Sequence, residues 1–255
     1  MLLLCLDSSS AASVALVATA DETRWRPADD PSTDVPGSGR GRVLSSSSTE
    51  DTRTHAEVLA PAVREVLAEA GAGPEDLDAV LVGTGPGPFT GLRAGLVTAR
   101  VLGFAWSLPV RGMTSLAALA HDVAALPQEQ RPSAFAVAVD ARRREVYWAV
   151  CRLPLGETPV LVDGPHVGPA RELPELPVYG RGAGLYAEQL PLAVTRPVPG
   201  GPWEAPSQWQ PSAQSLGMAA ADLLAAGGEL SADVEPLYLR ESDAKVPGPR
   251  KRAGA

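Results

Sequence analysis

Two stretches of this 255-residue chain repeat one pattern. Leu2 to Leu6 is apolar, ends on Asp7, turns through Ser8 to Ala12 and returns as the apolar run Ser13 to Ala18. Ser133 to Val139 is apolar, ends on Asp140, turns through Ala141 to Arg144 and returns as Glu145 to Cys151. Each reads as strand, turn, strand. The offset between the aspartates, 140 − 7 = 133 residues, is about half the chain, so the pattern predicts two lobes of related design, with a chance match of two hairpins as the alternative.

The segments between divide accordingly. Residues 19–42, rich in Pro, Gly, Asp and Ser without periodicity, read as a mobile insertion between strands. Thr54-His55-Ala56-Glu57 has capping-box spacing, and Val58, Leu59, Ala62, Val63, Val66, Leu67 and Ala70 recur at helical spacing up to Gly71, with Pro61 expected to kink the helix or force an early 3₁₀ turn. Ala79 to Val82 is a buried strand that feeds the loop Gly83-Thr84-Gly85-Pro86-Gly87-Pro88 and a helix from Phe89 to Trp106. Leu153 to Pro206 is loop-rich with a few strands, Pro177 to Gly180 among them; Ser212 to Ala226 is an Ala-rich helix; Val234 to Leu239 is extended. The expected organisation is a first lobe over residues 1–110, a second over 111–244 whose helix 212–226 packs back on the first, and a disordered basic tail over 245–255.

The Phe89 helix is apolar on more than one face, through Leu92, Leu96, Val97, Val101, Leu102 and Phe104, which predicts apolar neighbours on two sides. Gly91, Gly95, Ala99 and Gly103 add a stripe of small residues that admits a close helix, either from another chain or from its own domain.

Several chemistries are excluded. The loop before that helix has the strand-loop-helix setting of a phosphate site, but two prolines remove amides and no Lys-Ser or Lys-Thr follows, which favours a structural turn. Asp7 and Asp140 are placed to hold Mg²⁺ through water or, the better reading for each singly, to cap their turns. His55, His121 and His166 lack the spacing of a zinc helix, and no Gly-x-Ser-x-Gly elbow marks a hydrolase. Cys5 and Cys151 lie inside apolar runs and read as buried thiols.

The net charge is −8, and since the tail from Lys245 carries +4, residues 1–244 carry −12. A body so acidic is not an autonomous nucleic-acid binder. Arg142, Arg143 and Arg144 are a local exception, either a solvated turn or a phosphate contact. No apolar run reaches the roughly 20 residues of a membrane span, and the start lacks the basic flank of a signal peptide, so a cytoplasmic protein is expected.

The opening Leu-Asp-Ser-Ser-Ser, the helix His-Ala-Glu-Val-Leu-Ala-Pro, the segment Gly-Thr-Gly-Pro-Gly-Pro-Phe-Thr-Gly-Leu-Arg-Ala-Gly, the turn Val-Asp-Ala-Arg-Arg-Arg-Glu-Val-Tyr-Trp and the late Pro-Leu-Tyr-Leu-Arg occur in the order of the TsaB family, formerly YeaZ. The resemblance spans almost the whole chain, the insertion being the main departure. It implies an α/β, two-lobed actin-like or sugar-kinase-like fold with a degenerate nucleotide cleft, whose vestigial turns are Asp7, Ser8, Gly85, Gly87 and Asp140. It also implies a non-catalytic paralogue of TsaD. In TsaD-like chains a histidine pair four apart follows the Gly-Pro-Gly helix and holds the metal; here Gly112 to Ala118 has no histidine, and His121 alone cannot make the pair.

The implied role is a scaffold subunit for formation of N6-threonylcarbamoyladenosine at position 37 of tRNA. Its implied partners are a TsaD-like catalytic subunit and a TsaE-like ATPase, with tRNA reached only through the complex and homodimers formed alone. No cofactor of its own is implied, although a nucleotide at the partner interface is compatible with it. The family contact, a bundle of the first two helices of each partner, maps onto His55, Leu59, Val63, Leu92, Arg93, Gly95, Leu96, Ala99 and Arg100, with Arg142 to Arg144 as candidate tRNA contacts. An actin-fold ATPase or metalloprotease-like enzyme is the competing reading.

Overall fold

The computed structural model describes residues 1–20, 41–49, 55–197 and 204–240, without the side chains of His55 and Ala56. Most of the 19–42 insertion, the Thr54 cap and the 245–255 tail lie outside those residues.

Among the described residues, nine strands form two sheets. The first has the order β3-β2-β1-β4-β5, from β1 (Leu2–Asp7), β2 (Ser13–Thr19), β3 (Gly41–Ser48), β4 (Ala79–Gly83) and β5 (Val110–Met113). The second has the order β8-β7-β6-β9, from β6 (Ala134–Asp140), β7 (Val146–Arg152), β8 (Val160–Gly168) and β9 (Val178–Tyr179). In each, an antiparallel three-strand meander is joined by a parallel fourth strand beside its first member. Even the register repeats: Asp7 faces Ser13, and adding 133 to each number gives the observed pair Asp140 and Val146. This is the duplicated α/β architecture expected of an actin-like fold.

The continuous apolar runs follow from burial on both faces. Leu2, Leu4 and Leu6 of β1 point to one side of the first sheet, where α1 (His55–Ala70) and α2 (Phe89–Trp106) supply Leu59, Val63, Val66, Leu92 and Leu96. Leu3 and Cys5 point to the other side, against Ala118 of α3 (Leu116–Ala124) and Ala213, Leu216 and Ala220 of α5 (Ala213–Ala225). Leu116 and Leu119 of α3 join Phe135, Val137 and Tyr179 of the second sheet, so α3 contributes to the cores of both. The outer face of the second sheet packs Ala136, Ala138 and Val178 against Ala183 of α4 (Arg181–Leu185). Each fully buried Leu or Phe contributes roughly 1.5–3 kcal/mol of transfer free energy. Both cysteines are buried and unbridged, and desolvation raises the two thiols, Cys151 to about 12.

Several sequence boundaries shift. The mobile-insertion assignment is too wide, because Thr19 pairs with Gly41 and Ala18 with Arg42 in regular strands. β3 carries four serines, Ser45 to Ser48, in place of an apolar run, and its edge position lets them face solvent or the acids Glu65 and Glu69 of α1. The first sheet runs past residue 110 to Met113, through parallel pairing with β4. α1 runs through Pro61 as α-helix without a 3₁₀ turn; Pro61 is exposed, so its missing donor is on the solvated side. Gly71, with φ +65°, then ends the helix, the amide of Ala72 bonding back to the carbonyl of Leu67 at 3.0 Å. α5 starts as its sequence predicts, the Ser212 hydroxyl accepting from the amide of Ser215 at 3.1 Å.

Candidate functional site

Four features bear on function, and three of them involve α2. The first is the β1–β2 turn. Asp7 is fully buried, and its Oδ1 accepts from the amide of Ser9 at 2.9 Å and from the Ser9 hydroxyl at 2.7 Å. Its Oδ2 accepts from the Ser115 hydroxyl at 2.6 Å, and that hydroxyl accepts in turn from the amide of Gly85 at 3.1 Å. Ser8 is wedged against α2, donating to the carbonyl of Gly91 at 2.8 Å and accepting from the amide of Gly95 at 3.1 Å. The groups a phosphate would meet in this turn are therefore already hydrogen-bonded within the chain. Glycine is what makes the fit possible. A Cβ on Gly83 would lie 1.9 Å from Asp7 Oδ2, one on Gly95 2.3 Å from the Ser8 hydroxyl, and one on Gly87 2.5 Å from the carbonyl of Ser9.

The second feature is the face of α2. Gly91, Gly95, Ala99 and Gly103 are all buried, so the small-residue stripe serves close packing within the chain: Gly95 on Ser8, Gly103 on Val110. The interface assignment made from sequence is corrected accordingly. Leu59, Val63, Leu92, Leu96 and Ala99 are at most 4% exposed and pack on the first sheet, and Gly95 is buried with them. Of the remaining candidates, Arg93 and Arg100 point outward, and the His55 side chain lies outside the described residues. Val97, Val101 and Phe104 belong to the apolar residues that the sequence spreads over more than one face of α2, outside the interface candidates. They are 58%, 58% and 88% exposed, and at 100° per residue they lie across the helix from Leu92, Leu96 and Ala99. The signal was available: small residues beside large aliphatics mark the side that meets its own backbone, which leaves the bulky opposite stripe facing out.

The third feature is the extended segment 231–240, which crosses from one sheet to the other. Ser231 bridges to Gly112 of β5, the amide of Leu237 donates to the carbonyl of Thr84 at 2.9 Å, and Arg240 donates to the carbonyl of Ala141 at 2.8 Å. Along the way Arg100 pairs with Glu235 at 2.8 Å. Tyr238 stacks on Phe89 with ring centroids 4.4 Å apart, and its hydroxyl accepts from Arg93 Nε at 2.6 Å.

The fourth feature is the β6–β7 turn. Asp140 caps it, Oδ1 accepting from the amide of Arg142 at 2.8 Å while Oδ2 pairs with the Arg142 guanidinium at 3.2 Å. Arg142, Arg143 and Arg144 are all exposed. Turn capping is thus the observed role of both aspartates. Of the other histidines, His121 pairs with Asp222 of α5 at 2.9 Å and His166 with Asp163 at 2.8 Å. Among the described residues no group of three or more His, Cys, Asp or Glu is placed to hold a metal ion, and no helix is long and apolar enough to cross a membrane.

Comparisons with known proteins fit this architecture. Residues 42–177, just over half of the chain, match the family model described as TsaD, tRNA N6-adenosine threonylcarbamoyltransferase. An uncharacterized protein of Mycobacterium tuberculosis is 40% identical over 209 residues, 80% of this chain and 83% of its own length. The tRNA threonylcarbamoyladenosine biosynthesis protein TsaB of Haemophilus influenzae is 40% identical over 97 residues, 38% of this chain and 40% of that protein. The solved structure of YeaZ from Pseudomonas aeruginosa superposes with a TM-score of 0.68 at 32% identity, covering 93% of this chain and 99% of the other. With the duplicated sheets, the glycine-built β1–β2 turn and a YeaZ structure matched along nearly its full length, the chain belongs to the TsaB (YeaZ) family, within the wider group that the TsaD family model describes.

Proposed function

We propose that this chain is the non-catalytic scaffold subunit in formation of N6-threonylcarbamoyladenosine on tRNA, docking a TsaD-type catalytic subunit. The observation that carries the reading is the apolar ridge Val97, Val101 and Phe104, which includes the most exposed large hydrophobic side chain among the described residues, Phe104, on a helix otherwise fitted to its own core. Exposed apolar ridges rimmed by charge mark protein contacts; Arg93 and Arg100 flank this one. α1 packs beside α2 on the same face of the sheet and completes the docking surface. Without its partner, the ridge pairs two copies of the chain.

The absence of histidine from Gly112 to Ala118, the link of Asp7 to Gly85 through Ser115, and the hydrogen bonds of Ser8 to α2 support a subunit that leaves chemistry to its partner. The chain has no cofactor of its own on this reading; a nucleotide at the partner interface is compatible with it, and a TsaE-type ATPase assists the complex. The work is done in the cytoplasm, where the tRNA is.

The test is co-expression with a TsaD-type partner. Val101→Glu and Phe104→Glu alter exposed side chains, so the variants fold, and they are expected to abolish co-elution and tRNA modification together. Co-elution at wild-type strength would refute the docking surface. Leu96→Glu is unsuited to the purpose, because that side chain is buried and the variant would report on folding.

A further inference from the structure

The β6–β7 turn is built at a conformational cost that a plain connection would avoid. Arg142, Arg143 and Arg144 have φ of 61°, 55° and 63°, three successive left-handed residues, none of them glycine. For residues with a Cβ this region costs roughly 1–2 kcal/mol each, and glycine occupies it freely. A chain with 25 glycines nevertheless places arginine at all three positions. Such strain persists where the side chains are needed and the surroundings hold the shape.

The surroundings here do hold it. Asp140 grips the amide and guanidinium of Arg142, and the amide of Glu145 donates to the carbonyl of Arg142 at 3.0 Å. Glu145 pairs with Arg240, which lies over the Tyr147 ring at 5.9 Å and donates to the carbonyl of Ala141. Both carboxylates that bracket the turn are thus engaged in supporting it. The turn also concentrates like charge. The guanidinium of Arg240 is held below its ordinary range, first by burial and then by neighbouring Arg143. On a chain of net charge −8, Arg142, Arg143 and Arg144 gather at one exposed tip beside the part-buried Arg240.

We propose that this turn grips the phosphodiester backbone of RNA, with Arg143 and Arg144 contacting phosphate and Arg142, Asp140, Glu145 and Arg240 fixing the turn. The inference rests on the reading of the chain as a tRNA-modification subunit. Guanidinium forks match phosphate oxygens, and an exposed hairpin tip suits a polymer that passes over it better than a free nucleotide, which binds where a pocket encloses it. Because the rest of the body repels RNA, a local cationic contact is what lets the subunit lie along the substrate.

The experiment pairs Arg143→Gly with Arg144→Gly in one chain, co-purified with a TsaD-type partner, and follows labelled tRNA by fluorescence anisotropy across a salt series. Glycine relieves the left-handed strain, so the melting temperature is expected to hold or rise, and co-elution to stay unchanged. The tRNA affinity should fall, and the slope of log affinity against log salt should lessen by about 1.4–1.8, the loss of two phosphate contacts at roughly 0.7–0.9 each. Unchanged affinity and slope would overturn the proposal. So would loss of ATP or pyrophosphate binding with tRNA binding intact, which would make a nucleotide the ligand, or weakened co-elution with tRNA binding intact, which would make the partner protein the ligand. Should the wild-type chain not co-elute at all, the scaffold reading fails separately, and the same titration on the isolated chain at low salt still decides the grip: a wild-type chain that binds no tRNA, or no more than the variant, rejects it.

Discussion

The two hairpins share strand order, register and a capping aspartate, yet their turns have opposite fates. The β1–β2 turn is buried: Asp7 and Ser8 are at most 1% exposed and are closed in by Ser115, Gly83 and the small-residue side of α2. The β6–β7 turn is exposed, with the Arg142 side chain 65% accessible, and its carboxylate serves the turn alone. A duplicated unit thus separates two tasks. One copy is sealed into a helix–sheet joint that fixes α2, and the other projects cations from the second sheet. The difference lies less in the turns than in what faces them: glycines that allow backbone contact in the first case, solvent in the second.

The largest expected effect breaks the seal. A Cβ at Gly83 has no room beside a buried carboxylate, so Gly83→Ala should destabilise the chain by at least ~3 kcal/mol, a fall in melting temperature of roughly 6–12 °C for a chain of this size. Calorimetry decides it, and a shift under 2 °C would mean that the joint yields more easily than its packing implies. Asp7→Ala comes next, at ~3 kcal/mol, because the buried donors of Ser9 and Ser115 lose their acceptor. The matching Asp140→Ala, at a turn open to water, should cost only ~1 kcal/mol in urea unfolding. Equal losses at the two aspartates would erase the distinction between the hairpins.

How much of this was legible in sequence follows from the same contrast. Local pattern carried the paired hairpins, the bounds of α2 at Phe89 and Trp106 and the start of α5 at Ser212, since periodicity and caps are encoded nearby. The outward face of α2 is harder to read, because both of its sides are apolar and only the small-residue stripe, which meets Ser8 and Val110, marks the inward one. β3 was lost for a related reason: an edge strand tolerates serines that a central strand would not. The left-handed turn at Arg142 to Arg144 had no sequence signal, as arginine is an uncommon occupant of that conformation. The motifs named the turns, and the structure showed which of them is open.

α3, which begins just after the Ser115 that holds Asp7, extends the comparison to a carboxylate with fewer donors. Burial raises the Asp122 carboxyl from 3.8 to about 6, against the lowering influence of its hydrogen bond to Ser215 and of His121. The native state therefore favours the protonated acid. The stability tied to that proton is fully present below about pH 3.8 and is lost as the pH rises through about 6. Asp122→Asn should gain on the order of 2 kcal/mol over the parent at pH 7.5 and almost nothing at pH 4. A gain that is flat across that window would show that Asp122 ionises without penalty.

The smallest effect probes the open turn itself. Arg144→Gly removes a Cβ from a residue at φ 63°, a relief of roughly 1 kcal/mol or more, partly offset by the greater freedom glycine brings to the unfolded chain. A net stabilisation of about 0.5 kcal/mol is expected, a rise in melting temperature of roughly 1–2 °C. The same replacement in the first hairpin, Ser8→Gly, should destabilise instead, since it removes a hydroxyl that bonds both Gly91 and Gly95 inside the joint. Opposite signs from one substitution type would establish that the first turn is shaped for stability and the second is held away from its most stable sequence by the work of its side chains. A loss of stability at Arg144→Gly would assign that guanidinium to the fold and remove the strain argument for its role in binding.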